Sequence, residues 1–283
     1  MTLDQLLSLV RVGPGEYRSD FRHEGFPSLF GGRAVYGGQV VAQALAAAAQ
    51  TAPASWHPHS LHGYFLRPGA AHVATSFTVS VVRDGRSFAL RTVGAAQEGR
   101  QTFAMTASFH AGTGGPSVQD ESAPPSGPPQ QLPAMQAGHL FGIEARLPDQ
   151  ASDGPWPTRY WARCSDVLPA TANAHACALA YISDTLTPLM PLTDPASRHG
   201  PTLSHSIWFH RPANMDDWVL VDLKRISVSG GIGCYRGCVY DPLGRLVATL
   251  AQEATFQLAE PAPGTGSSQA EPTAGQADGP VRR

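Results

Sequence analysis

The sequence predicts an α+β fold in which one unit, a helix wrapped by an antiparallel sheet, is used twice. Three observations point there. Two Ala-rich apolar segments are each followed by a run of strand and turn signals. The two runs superpose at an almost constant offset. Gly and Pro crowd into one stretch between the runs and another after them. A helix that is apolar all round must be buried. Successive antiparallel strands make a sheet that can curl around it.

The elements follow in chain order. A short helix is expected over 3–10. From Gln39 an Ala-rich run continues without a breaker to Pro53 and predicts the first long helix. Gly37 and Gly38 stand at its start, where they allow close backbone approach and leave N–H groups unbonded. Strands are expected at 59–67, 77–82, 87–96 and 101–109. The turns between them are Pro68-Gly69, Asp84-Gly85 and Glu98-Gly99. The second half repeats the order. A helix covers 171–185, and strands follow at 205–211, 218–228, 234–240 and 245–256. Asp241-Pro242-Leu243-Gly244 joins the last two.

Two stretches fall outside this plan. Segment 111–133 holds ten Gly or Pro in 23 residues, and its only larger apolar residues are Val118 and Leu132. Such a segment cannot bury enough apolar surface to offset its ordering entropy, so it reads as a flexible linker. Segment 259–283 has the same character and reads as a disordered tail. The 283 residues therefore divide into an N-terminal unit (1–110), a linker (111–133), a C-terminal unit (134–258) and a tail (259–283).

Composition narrows the function. Charged residues make up 15% of the chain, against about 25% in average usage. With a net charge of −2, the chain lacks the electrostatic footprint of a nucleic-acid binder. No apolar run approaches the roughly 18 residues of a membrane span. The N-terminus has no basic stretch before an apolar core, so no secretory signal is expected. The final Val-Arg-Arg lacks the character of a peroxisomal address. The four cysteines, Cys164, Cys177, Cys234 and Cys238, contain no C-x-x-C pair. They suit small buried thiols in a reducing compartment, so a cytoplasmic location is expected.

The internal repeat rests on two marks. Tyr64-Phe65-Leu66-Arg67-Pro68 matches Trp208-Phe209-His210-Arg211-Pro212 at an offset of 144. Gly99-Arg100 matches Gly244-Arg245 at an offset of 145. Two fused copies should pair as separate subunits would, leaving one copy free to lose its chemistry.

Several stretches taken in order resemble the acyl-CoA thioesterase II family. In the first half they are FGGRAVYGGQVVAQAL, HSLHGYFLRPG, VVRDGRSF and MTASFH. In the second they are YISD, HSIWFHRP and GRLVATLAQE. The resemblance implies a tandem, or double, hotdog fold: two long helices, each wrapped by an antiparallel sheet, with the sheets joined as in a hotdog dimer. It further implies hydrolysis of fatty acyl-CoA to free acid and CoA, without metal or organic cofactor, by an oligomer such as a dimer or tetramer of double hotdogs. Three site residues carry over. Asp184 ends the YISD motif, Thr202 precedes the HSIWFHRP strand, and Gln252 lies in the final Ala-Gln-Glu. Many relatives carry Asp directly before the His of that strand, whereas this chain has Ser204.

These residue types suit thioester hydrolysis. A carboxylate at the end of an apolar helix gains basicity as it loses water. A Thr hydroxyl and a Gln amide hold a water by hydrogen bonds while leaving it neutral. The N–H groups near Gly37 and Gly38 are natural donors to an oxyanion. Among the histidines, His59 is the rival acid–base group. His205 and His210, five apart, face opposite sides of a regular strand and cannot share a metal. Arg67 and Arg211 recur in both halves, which suits a structural role at the strand end more than CoA binding. Other functions are a hotdog hydratase of enoyl or hydroxyacyl thioesters and a non-catalytic acyl-thioester binding protein. The chain has no run resembling the hydratase motif, and all three hydrolytic residues are present. No G-x-S-x-G occurs, against a serine hydrolase.

Overall fold

The computed structural model describes residues 2–19, 34–112, 114–135, 140–149, 157–185 and 198–257. Helix α1 (Leu3–Leu7) opens the chain. Thr2 caps it in a reciprocal exchange with Gln5. The first unit then contains β1 (Val10–Gly13), β2 (Glu16–Ser19), α2 (Gly37–Ala49), β3 (His57–Phe65), β4 (Thr75–Asp84), β5 (Phe88–Gln97) and β6 (Arg100–His110). The second contains β7 (Ile143–Arg146), β8 (Arg159–Cys164), α3 (Ala172–Ser183), β9 (Arg198–Phe209), β10 (Val219–Ser229), β11 (Ile232–Tyr240) and β12 (Leu246–Gln257).

Among the described residues the strands form one twelve-stranded sheet, in the order β1-β2-β4-β5-β6-β3-β9-β12-β11-β10-β8-β7. From either end inward, equivalent strands of the two units appear in the same order. The halves meet at the antiparallel β3–β9 pair, where Leu61 faces Ile207 and His62 faces Ser206. This is the tandem hotdog, with two half-sheets joined edge to edge. Both long helices, α2 and α3, lie in one core. Val41 and Leu45 of α2 and Leu179 of α3 are buried with Phe77, Phe103 and Leu250 of the sheet.

The repeat is physical as well as textual. Gly99 and Gly244 both take φ of 76°, the turn conformation that glycine adopts without strain. The amides of Leu66 and Arg67 donate to the Thr102 carbonyl, as those of His210 and Arg211 donate to that of Val247. Arg67 and Arg211 each reach a backbone carbonyl of the neighbouring strand, Gln101 and Leu246.

The structure departs from the sequence expectations in three places. Helix α1 ends at Leu7, and the chain turns into the β1–β2 hairpin. Strands β7 and β8 add the equivalent pair to the other edge. The described part of 111–133 is docked rather than loose. The Gln119 side chain accepts from the Leu246 amide at 2.7 Å and donates to the Gly244 carbonyl at 2.9 Å. Ala123 and Leu132 pack on a second small core of Trp161, Trp218, Leu220 and Tyr240. The Gln119 hydrogen bonds, donation from Arg211 to Ser117 and from Trp161 to the Ser126 carbonyl, and a few apolar contacts hold a segment that composition alone marks as free. The expected tail, 259–283, lies outside the described residues.

Candidate active site

Thr171 caps the start of helix α3, its side chain accepting from the Ala174 amide. It ends at Ser183, and Asp184 leaves the helix at φ −87°, ψ 68°. The last carbonyls of a helix have no partner within it. Here they are buried, and tyrosine hydroxyls meet them. Tyr36 lies 2.8 Å from the Tyr181 carbonyl and 2.9 Å from that of Asp184. Tyr160 donates to Ile182, and Tyr235 makes a close contact with Thr185. Burial, and then the Asp184 charge, raise the Tyr36 and Tyr235 phenols well above their ordinary pKa. Burial lifts Tyr160 to about 12. All three therefore remain protonated donors near neutral pH.

Asp184 is 6% exposed. Its Oδ1 accepts from Gln252 Nε2 at 2.6 Å and from Thr202 Oγ1 at 3.3 Å. Gln252 Nε2 also donates to Thr202 Oγ1 at 3.0 Å. Sequence reading expected these three residues at one site, and the fold brings them together from α3, β9 and β12. Thr202 reaches Asp184 next to a register shift between Glu253 and Ala254, opposite Ser204 and Thr202. Bulges of this kind re-aim a side chain. Ser204 donates instead to Glu253 Oε2 at 2.6 Å, in a contact that does not include Asp184.

Asp184 Oδ2 lies against the start of α2. A Cβ on Gly37 would sit 2.2 Å from it, and one on Gly38 would sit 2.3 Å from the Tyr181 carbonyl. Only glycine permits this approach. It also resolves an electrostatic conflict. A carboxylate at a helix C-terminus faces the negative end of the helix dipole, but the positive end of α2 abuts the same group. The outcome is a buried carboxylate with one oxygen held by two donors. Among the described residues no donor reaches the other oxygen. Such a group can accept a proton from a water.

Sequence reading missed the tyrosine caps, Ser183 and the site role of His205. His205 is fully buried, pairs with Gln252 across β9 and β12, and lies 2.8 Å from Ser183 Oγ through Nε2. Burial lowers its pKa, while the Asp184 charge and the Gln252 side chain act the other way. His59, the rival group, belongs to a different constellation. Its Nε2 lies 2.8 Å from Ser108 Oγ, and its ring meets Phe88 and His110 edge to face. With His57, His110, His210 and Arg211 it lines a cavity of about 110 Å³ beside the start of α3. All four cysteines are free thiols. Burial raises Cys164 and Cys177 to about 12, which leaves them unreactive.

Comparison with known proteins shows what the chain as a whole is similar to. Residues 27–110 match the acyl-CoA thioesterase N-terminal domain and residues 116–256 the acyl-CoA thioesterase C-terminal domain. Acyl-CoA thioesterase 2 of Haemophilus influenzae is 32% identical over 91% of this chain and 98% of its own length. Mouse acyl-coenzyme A thioesterase 8 is 29% identical over 89% of this chain and 88% of its own. The crystal structure of acyl-CoA thioesterase II TesB2 from Mycobacterium marinum superposes with a TM-score of 0.76. It shares 30% identity and covers 95% of this chain and 99% of its own.

Proposed function

The chain belongs to the acyl-CoA thioesterase II family, and from that premise we propose how its residues carry out the reaction. The reaction is hydrolysis of an acyl-CoA thioester to a free acid and CoA. In the proposal Asp184 is the general base. The observation that carries it is the unequal setting of the two carboxylate oxygens. Gln252 and Thr202 hold Oδ1, whereas Oδ2 faces the α2 N-terminus.

A water oxygen attacks the thioester carbon while its proton passes to Oδ2. Negative charge gathers on the carbonyl oxygen, which the backbone amides at Gly37 and Gly38 stabilise. Collapse of the tetrahedral intermediate breaks the C–S bond, and the proton held by Asp184 passes to the CoA sulfur. Thr202 Oγ1 supports the water and the carboxylate together. Both Gln252 N–H bonds point to Asp184 and Thr202, so Gln252 acts by orienting the base. His205 has no exposed ring nitrogen to offer an enoyl substrate, which disfavours the hydratase reading.

The substrate class is fatty acyl-CoA, and the proposed setting is a cytoplasmic oligomer, a dimer or tetramer of double hotdogs. Among the described residues no helix is long and apolar enough to cross a membrane. The test is thiol release from a panel of acyl-CoA chain lengths with wild type and Asp184→Asn. The variant should lose about 100-fold or more in kcat. Full activity in a folded Asp184→Asn protein would remove Asp184 as base. Inactivity of wild type across the whole panel would favour an acyl-thioester binding role.

A further inference from the structure

The two copies differ in polarity at a buried cross-strand pair. In the first unit Leu61 of β3 stands opposite Ala107 of β6. At the equivalent place in the second unit His205 of β9 stands opposite Gln252 of β12. All four residues are buried. The fold therefore accepts an apolar pair there, and the copy carrying Asp184 has exchanged both members for polar ones.

Among the described residues, two buried atoms of that pair have no hydrogen-bond partner: Nδ1 of His205 and Oε1 of Gln252. The far side of the ring is occupied, with Nε2 2.8 Å from Ser183 Oγ. We propose that His205 is a positioning residue that sets the orientation of the Gln252 amide. Its Nδ1–H is turned toward Oε1, so that both amide N–H bonds stay on Asp184 and Thr202. The proton inventory selects this arrangement. Buried and neutral, the ring carries one proton. If that proton sits on Nε2, it points at Ser183, whose own hydroxyl turns to the Ala180 carbonyl 2.8 Å away. Nδ1 and Oε1, on paired residues, are then two buried acceptors without a donor. If the proton sits on Nδ1, Ser183 donates to Nε2 and Oε1 gains a donor. A flipped Gln252 amide would set Oε1 against the Asp184 carboxylate, and the His205 donor opposes that flip.

This inference rests on Asp184 being the base, and the experiment separates the two. The comparison is His205→Leu, which restores the residue of the first copy, against His205→Asn, which keeps an N–H donor at the δ position. His205→Leu should lower kcat about 100-fold, as expected for a misplaced base, with KM unchanged. His205→Asn should recover most of that loss. Wild-type kcat in His205→Leu, or equal losses in both variants, would overturn the proposal while leaving an inactive Asp184→Asn to support the base. If neither variant folds, nitrogen-15 NMR of the wild-type protein decides. The His205 ring should be the neutral Nδ1–H tautomer. A proton on Nε2 alone, or a charged ring, contradicts the assignment.

Discussion

At the scale of single residues, the proposed mechanism turns on one oxygen of the Asp184 carboxylate being held while the other faces the end of a second helix. Gly37→Ala tests that arrangement, because a methyl 2.2 Å from Oδ2 must displace it. Activity should fall about 100-fold, read as kcat by thiol release, while the circular dichroism spectrum stays that of the wild type. Thr202→Val removes the hydrogen bond to Asp184 and the acceptor of one Gln252 N–H; a bond to a charged group contributes roughly 1.5–3 kcal/mol, so kcat should fall at least roughly tenfold. That Asp184, Thr202 and Gln252 are neighbours was legible because each lies in or beside a short recognisable motif. His205 was not, although it lies in one of those motifs. Its proposed task depends on Gln252, which lies on another strand and becomes its neighbour only when β9 pairs with β12. The tyrosine caps stayed hidden for the same reason, since Tyr36 and Tyr181 are 145 positions apart.

At the scale of elements, the two helices and the eight main strands were readable from Ala-rich runs, alternation and turn residues. The β1–β2 hairpin was overlooked, although Pro14-Gly15 lies between two short alternating stretches and Gly15 takes φ of 70°. Strands β7 and β8 are harder to see, because they complete an edge only after the second unit has formed. One buried cation ties a helix to the sheet. Arg91, 1% exposed, donates to the Thr51 hydroxyl and carbonyl just past the end of α2 and pairs with Asp84 at 2.7 Å. The positive charge also suits the negative end of the helix dipole. Arg91→Leu leaves those acceptors unmet and should cost at least about 2 kcal/mol in urea unfolding. An unchanged midpoint would mean that the Thr51 contacts contribute nothing.

At the scale of the whole molecule, duplication explains both the continuous sheet and its chemical asymmetry. Composition misjudged the connecting segment, because the docking of Gln119 depends on carbonyl and amide groups at 244–246, more than a hundred residues away. Acid should weaken the assembled fold. Burial holds His59, His205 and His210 below their ordinary pKa. In the unfolded chain each takes up a proton near pH 6.5. Their contribution is therefore full above about pH 6.5 and is lost as pH falls through the lower folded values. Urea midpoints should drop between about pH 7 and pH 5, and His205→Asn should flatten that drop. Association belongs to this scale too. Tyr64 and Trp208, on the adjoining central strands β3 and β9, are exposed aromatics. If they form a contact between copies, Trp208→Glu should lower the mass measured by light scattering.

The central claim is that Asp184 activates water rather than attacking the thioester itself. A single turnover in oxygen-18 water, with enzyme in excess over acyl-CoA, tests it most directly. The account predicts one labelled oxygen in the released acid and none in the peptide containing Asp184. Unlabelled acid together with label in that peptide would identify a covalent acyl-enzyme and contradict it.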